Sequence, residues 1–343
     1  MLTHFVPSHC QLAASPRRSA GFSLIELMVA TLIMGMVIVF VLGMFTVQHQ
    51  TYMVVDQVAE TQQNSRAIAG LVERDIRNAG YKVHSQGAAC GVDSTSAPDI
   101  LFLSDADAIA AVDTLPANLR GVELGASPSG SAPIAPGALS MTLDDVVIDA
   151  TPTYDTDGNG SDDSDFREGG GAILVDLTNP ARGVACGFVT SVTAPNAVVV
   201  DFQNILGPAG LPPDLRLIPA ISYQVSTPVG SPDRLERNGV ALAKDVEDIQ
   251  IALFFDADED GEVDANEYVG GAGTVYDNTI VDGATLREMR FSMVVRTAAD
   301  DPRNPTAAST GQAIENRSSN IPGDDGRRRR VHVTAVRLRN VQS

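Results

Sequence analysis

The hydrophobic and polar positions of the chain change their pattern near residue 47. An uncharged apolar run extends from Leu27 to Val47, and its 21 residues match the roughly 20 that a helix needs to cross a hydrocarbon core. Arg17 and Arg18 precede this run, so the positive-inside rule keeps the N-terminus cytoplasmic and exports the chain after Val47. We therefore predict a transmembrane segment over residues 22–47.

After Val47 the pattern becomes amphipathic, because apolar residues recur at three- and four-residue spacings as far as Ile76. No proline occurs between Arg17 and Ala97. Gly80 comes after the last apolar positions and has the place of a helix C-cap. We predict one helix over residues 22–80, whose part from 48 to 80 is amphipathic.

From Pro98 onward, short runs rich in Val, Ile and Leu alternate with clusters of Gly, Pro, Asp, Asn and Ser, which is typical of strands and turns. A long helix followed by many strands predicts an α+β fold, with the helix packed on an antiparallel sheet and a β-rich head over residues 81–343. The candidate strands are 99–103, 139–148, 172–176, 184–192, 197–202, 217–225, 246–255, 286–296 and 331–339.

The chain is acidic, with a formal net charge of −19 from 24 basic and 43 acidic residues. Removal of a leader that holds Arg17 and Arg18 leaves 22 basic residues and a net charge of −21. Such a body repels nucleic-acid backbones unless it carries a local basic patch. The run from Arg327 to Arg330 could touch DNA or lipid headgroups, although a solvated turn before the last strand is the favoured interpretation.

Three cysteines are present. Cys10 lies before the apolar run, so Cys90 and Cys186 are the two cysteines of the exported part. Two cysteines in an exported head predict one disulfide. The alternative is a pair of separate buried thiols.

The order of segments at the N-terminus differs from that of an ordinary signal peptide, whose cleavage site lies after the apolar region. Here the turn Ser19-Ala20-Gly21 precedes it. Cleavage between Gly21 and Phe22 would place a new ammonium one helical turn from Glu26, a carboxylate that is costly inside an apolar segment. The alternatives are an uncleaved anchor and a Glu26 side chain that reaches the lipid headgroups.

The sequence Gly21-Phe22-Ser23-Leu24-Ile25-Glu26-Leu27 resembles the type III signal of type IV prepilins and of type II secretion pseudopilins. The resemblance implies a leader peptide over residues 1–21, cleavage by prepilin peptidase between Gly21 and Phe22, and N-methylation of Phe22. It also implies that Glu26 assists docking into a filament.

Residues 72–81 and 235–255 resemble minor pilins of the PilW type, although J-type minor pseudopilins carry a run similar to the first segment. The resemblance implies a minor pilin in the tip or initiating complex of a type IV pilus. Its partners would be other minor and major pilins, prepilin peptidase and the inner-membrane assembly platform. The alternatives are a J-type minor pseudopilin of type II secretion and a surface adhesin-type binding module. No catalytic motif is present in the sequence, and we expect no enzymatic activity.

Residues 256–267 match the twelve-residue EF-hand loop pattern at every defining position. Gly261 occupies the place of the sharp turn, and Glu262 would contribute its backbone carbonyl. Neither flank has a helical pattern, so we predict a calcium loop inserted in a β-rich head and not an EF-hand domain; the alternative is an acidic hairpin turn. The candidate calcium ligands are Asp256, Asp258, Asp260, Glu262, Asp264 and Glu267.

A weaker copy of this pattern begins at Asp155 and has Asp163 at its ninth place. Phe166 stands at its twelfth place, where a bidentate glutamate would be needed. We interpret this segment as a solvated acidic loop.

Overall fold

The structure is a computed structural model that describes residues 21–81, 83–105, 122–123, 132–143, 166–193, 197–209, 213–256, 258, 260, 262–264, 267–269, 286–301, 314–317 and 326–341. The predicted leader lies outside these residues except for Gly21, and so does the second acidic loop from 155 to 165. Two compact units divide the chain between Met53 and Val54.

A long helix, α1 (Leu24–Asn78), extends from the first unit into the second. In the first unit its apolar side chains are exposed throughout, for example Leu32, Val39 and Phe45. By length and composition α1 is able to cross a membrane, and none of its most apolar stretch is buried.

In the second unit, α1 buries one stripe of side chains that includes Ile68, Val72 and Ile76. The three- and four-residue spacing of this stripe is the one that the sequence predicted. The helix ends two residues before Gly80, whose φ of +81° is the left-handed conformation expected of a C-cap glycine.

The described residues of the head form two antiparallel sheets. The larger sheet has ten strands, which are β1 (Ala89–Val92), β2 (Ile100–Ser104), β3 (Val122–Glu123), β4 (Gly137–Thr142), β5 (Gly171–Asp176), β6 (Ala185–Thr193), β7 (Ala197–Phe202), β8 (Leu215–Ser226), β9 (Arg234–Arg237) and β10 (Val240–Lys244). The smaller sheet has four, which are β11 (Val246–Phe255), β12 (Tyr268–Val269), β13 (Leu286–Arg296) and β14 (Arg329–Arg337).

The strand order in the large sheet is β1-β2-β8-β5-β6-β7-β4, with β3 and β9 paired to β8 and with β10 paired to β9. The order in the small sheet is β12-β11-β13-β14. Every strand pair in both sheets of the described residues is antiparallel. The predicted α+β class, a long N-terminal helix with antiparallel sheets, is therefore confirmed.

One hydrophobic cluster joins α1 to both sheets. It contains Val72 and Ile76 from the helix, Leu103 from β2, Ile249 from β11 and Phe291 from β13. A second cluster lies among β4 to β7. Phe166, the twelfth residue of the weaker acidic pattern, is buried in this second cluster, where it fills the core and offers no oxygen to a metal.

Candidate functional site

The start of α1 carries a capping box. The backbone N–H of Ser23 donates to Glu26 Oε2 at 2.9 Å, and the backbone N–H of Ile25 donates to Ser23 Oγ at 3.3 Å. These two bonds satisfy backbone donors that the first helical turn leaves without a partner. The Ser-x-x-Glu spacing is the sequence signature of a capping box, but our prediction from the sequence treats Glu26 only as a charge.

The residues at the predicted cleavage site are accessible. Phe22 is 89% exposed, and a side chain built on Gly21 would meet no atom within 4 Å. The negative charge of Glu26 lies in the first turn of α1, where the positive end of the helix dipole favours it. Phe22 is thus exposed, and the Glu26 carboxylate lies one helical turn from it.

The acidic loop begins where β11 ends and finishes where β12 begins. The strand before the loop is the predicted one, whereas β12 after it was not predicted. One carboxylate oxygen from each of Asp256, Asp258 and Asp260 lies within 4.8 Å of the other two. Among the described residues, this group does not include the side chains of Glu262, Asp264 or Glu267, and Gly261 lies outside the described part.

Hydrogen bonds within the loop shape the chain around these carboxylates. The N–H of Asp260 donates to Asp258 Oδ1 at 3.3 Å, and the N–H of Glu262 donates to Asp260 Oδ1 at 2.8 Å. Side chains that accept bonds two residues onward stabilise tight turns. The loop is therefore wound so that alternate carboxylates converge.

A disulfide joins Cys90 on β1 to Cys186 on β6, with their Cα atoms 6.2 Å apart. This is the pairing predicted from the sequence, and the alternative of two separate thiols is excluded in this structure. Both cysteines are buried in a third hydrophobic cluster. The bond spans 96 residues, so it ties together distant parts of the large sheet.

The arginine run at the start of β14 forms ion pairs, although Arg328 and Arg330 are exposed. Arg327 Nε lies 3.4 Å from Asp300 Oδ1, and Arg328 lies 2.6 Å from Asp301 Oδ2. Arg329 donates to Glu247 at 2.6 Å, and both side chains are only 7% exposed. Three of the four charges are thus neutralised within the protein, which argues against a DNA-binding patch.

Comparison with known proteins finds a matching family model and similar solved structures. Residues 16–42 match the model of the prokaryotic N-terminal methylation motif. Among solved structures, the chain is similar to a type IV-like pilin from Thermus thermophilus with 12% identity and a TM-score of 0.26, over 84% of this chain and 97% of that chain. We base no inference on this structural likeness, because the TM-score is low. The comparison with curated proteins found no match.

The chain therefore carries a prepilin-type N-terminal methylation signal, followed by an apolar helix suited to membrane anchoring and by an antiparallel β head.

Proposed function

We propose that the chain is a minor pilin whose helix enters the core of a type IV pilus and whose head is exported. The observation that carries this proposal is the position of the methylation motif, which ends inside the exposed apolar part of α1. A signal in this place leaves the apolar helix on the mature protein. The apolar side chains of α1 in the first unit are exposed, and such a helix is stabilised by lipid or by neighbouring helices.

The two roles of Glu26 explain why a carboxylate is retained beside an apolar segment. Before assembly, the capping box gives the Glu26 carboxylate a hydrogen-bond donor, which lowers the cost of placing it near the membrane. After cleavage, the carboxylate of one subunit would neutralise the Phe22 ammonium of its neighbour in the filament. The ion pair would set the axial position of one helix against the next.

The disulfide supports export of the head, because such bonds persist in oxidising compartments such as the periplasm. We place the protein in the inner membrane with its head in the periplasm, and then at the cell surface within the pilus. Its proposed partners are other minor and major pilins, prepilin peptidase and the inner-membrane assembly platform. The PilW-like segments favour the initiating or tip complex over the pseudopilin role.

Incorporation into filaments tests this proposal, with two variants that separate charge from capping. Glu26→Gln keeps an acceptor for the Ser23 N–H, since glutamine also serves in a capping box, but it cannot neutralise an ammonium. Ser23→Ala removes the other half of the capping box. We expect immunoblots of filaments sheared from cells to lose the Glu26→Gln variant and to retain Ser23→Ala.

Equal incorporation of the parent and of Glu26→Gln would contradict the ion-pair role.

Deletion of the gene distinguishes a type IV pilus from a type II secretion system, because a minor pilin is needed for surface filaments and a minor pseudopilin for protein secretion. We expect loss of surface filaments with secretion unchanged. The opposite result would assign the chain to a secretion system.

A further inference from the structure

We propose a half-assembled calcium site in the acidic loop, in which Asp256, Asp258 and Asp260 hold the ion and the side chain of Glu267 turns onto it. This inference does not rest on the filament role. The three aspartates already converge within 4.8 Å. Calcium is the ion that suits a flexible set of six to eight oxygen ligands, whereas magnesium keeps most of its waters.

Asp256 supplies the strongest indication of a ligand. Its side chain is 2% exposed, and its Oδ1 is buried with no hydrogen-bond partner among the described residues. Its Oδ2 accepts a hydrogen bond from Arg287 Nε at 3.1 Å. A buried carboxylate oxygen without a partner is costly. A cation at Oδ1 would remove that cost, while the arginine holds the other oxygen in place.

The two strands fix the ends of the loop. The N–H of Phe255 donates to the carbonyl of Glu267 at 2.7 Å, and Phe254 pairs with Tyr268 in the ladder between β11 and β12. The first and twelfth positions of the loop therefore stand beside each other at the end of a hairpin. A site with its end positions anchored loses less conformational entropy when it binds an ion.

Glu267 is the residue that changes. Its Oε2 accepts a hydrogen bond from the N–H of Asp264 at 2.8 Å, and its carboxylate does not join the group of three aspartates. The twelfth position of such loops is the bidentate ligand. Calcium binding would rotate this side chain from the backbone N–H of Asp264 onto the ion.

Tyr268 gives a direct optical readout of the site. It is the residue after Glu267 and stacks on Phe254 with ring centroids 5.4 Å apart, and the chain has six tyrosines and no tryptophan. Terbium, which replaces calcium at oxygen sites, emits when a nearby tyrosine is excited. We expect the mature full-length protein in detergent to sensitise terbium emission, calcium to displace the terbium, and Tyr268→Phe to remove most of the emission.

Calcium affinity is measured by isothermal titration on the same protein. We expect a dissociation constant of about 10⁻⁴ to 10⁻³ M, as for extracellular modules. Asp260→Asn combined with Glu267→Gln should weaken binding at least about tenfold, because it removes two ligand charges. Glu168→Gln is the matched control: it also removes an acidic charge, but Glu168 is an exposed residue outside the loop, so affinity should be unchanged.

Two results would overturn the proposal. One is calcium binding that the Asp260→Asn and Glu267→Gln double variant leaves intact. The other is an equal loss of affinity in Glu168→Gln, which would indicate diffuse attraction to the acidic surface. Glu267→Gln alone tests the movement of this side chain: it should lower the affinity while terbium emission at saturation remains, because the three aspartates still hold the ion beside Tyr268.

Discussion

The hydroxyl of Tyr223 donates a 2.6 Å hydrogen bond to Asp75 Oδ2, and this bond joins α1 to strand β8 in the interior of the second unit. Arg237 Nε donates to the same oxygen at 2.9 Å. Burial, together with the charge of Asp75, raises the pKa of Tyr223, so the hydroxyl keeps its proton and remains a donor. This contact fixes the helix on the sheet at one defined position.

Replacement of Tyr223 by Phe should therefore destabilise the second unit. The change leaves a buried carboxylate with one donor fewer, and such losses cost about 1–3 kcal/mol. Thermal unfolding monitored by circular dichroism should show a lower midpoint. Tyr52, which is 72% exposed, provides the control: Tyr52→Phe should stay within about 0.5 kcal/mol of the parent. Equal shifts of the unfolding midpoint in the two variants would contradict a stabilising role for the Tyr223–Asp75 hydrogen bond.

Asp99 predicts a pH dependence of stability. Burial, with smaller contributions from the charges of Asp93 and Asp248, raises the pKa of this carboxyl to about 8 from its ordinary value of 3.8. Because the folded pKa lies above the unfolded one, the contribution of Asp99 to stability is complete below pH 4. It is lost progressively as the pH rises toward 8.

We therefore expect the unfolding temperature of the parent to fall between pH 5 and pH 8, and the Asp99→Asn variant to lose most of that slope. Asparagine cannot accept from both backbone N–H groups of Ser94 and Ile251 that Asp99 now binds. The variant will be less stable overall, so the slope is the informative quantity. Asp56→Asn, at an exposed position of α1, should keep the slope of the parent.

The disulfide between Cys90 and Cys186 should contribute measurably to stability. Closure of a loop of this length restricts the unfolded chain and is worth about 2–5 kcal/mol. Replacement of both cysteines by Ala should lower the unfolding temperature. A reductant should lower the unfolding temperature of the parent but not that of the variant without cysteines. A parent that melts at the same temperature with and without reductant, once reduction is verified by mass, would refute this contribution.

Two neighbouring arginines give a matched comparison. Arg329 is 7% exposed and pairs with the equally buried Glu247, whereas Arg330 is exposed. Glu247 also pairs with Arg296 at 2.9 Å, so Arg329→Gln leaves it one partner and should destabilise the head by about 1–3 kcal/mol. Arg330→Gln should stay within about 0.5 kcal/mol of the parent. Urea unfolding of both variants checks this, and indistinguishable midpoints would refute the ion-pair assignment.

The elements with strong local patterns could be predicted from the sequence. Strands β7, β11 and β13 have the bounds that the runs of Val, Ile, Leu and Phe indicated, because alternating or continuous apolar side chains require burial on a sheet. The hairpin of β9 and β10 was missed, although its turn is Asn238-Gly239 with φ of 52° and 73°. That dipeptide is a strong hairpin signal, and it was present in the sequence.

The rest depends on contacts between distant residues. Asp256 and Arg287 are 31 residues apart, and Asp75 and Tyr223 are 148 apart, so no local pattern indicates either pair. Strand β12 has two residues and is too short to show a period. The acidic loop could be identified from its sequence motif, but the position of Glu267 on the N–H of Asp264 required the structure.

The most direct test of the account is the mass of the N-terminal peptide of the mature protein, purified from membranes. If the chain is processed as a prepilin, this peptide begins at Phe22 and carries one methyl group on its amine. Residues 1–21 are then removed, and the apolar half of α1 is retained. A peptide that begins at Met1, or a mature protein that has lost residues 22–47, would contradict the account.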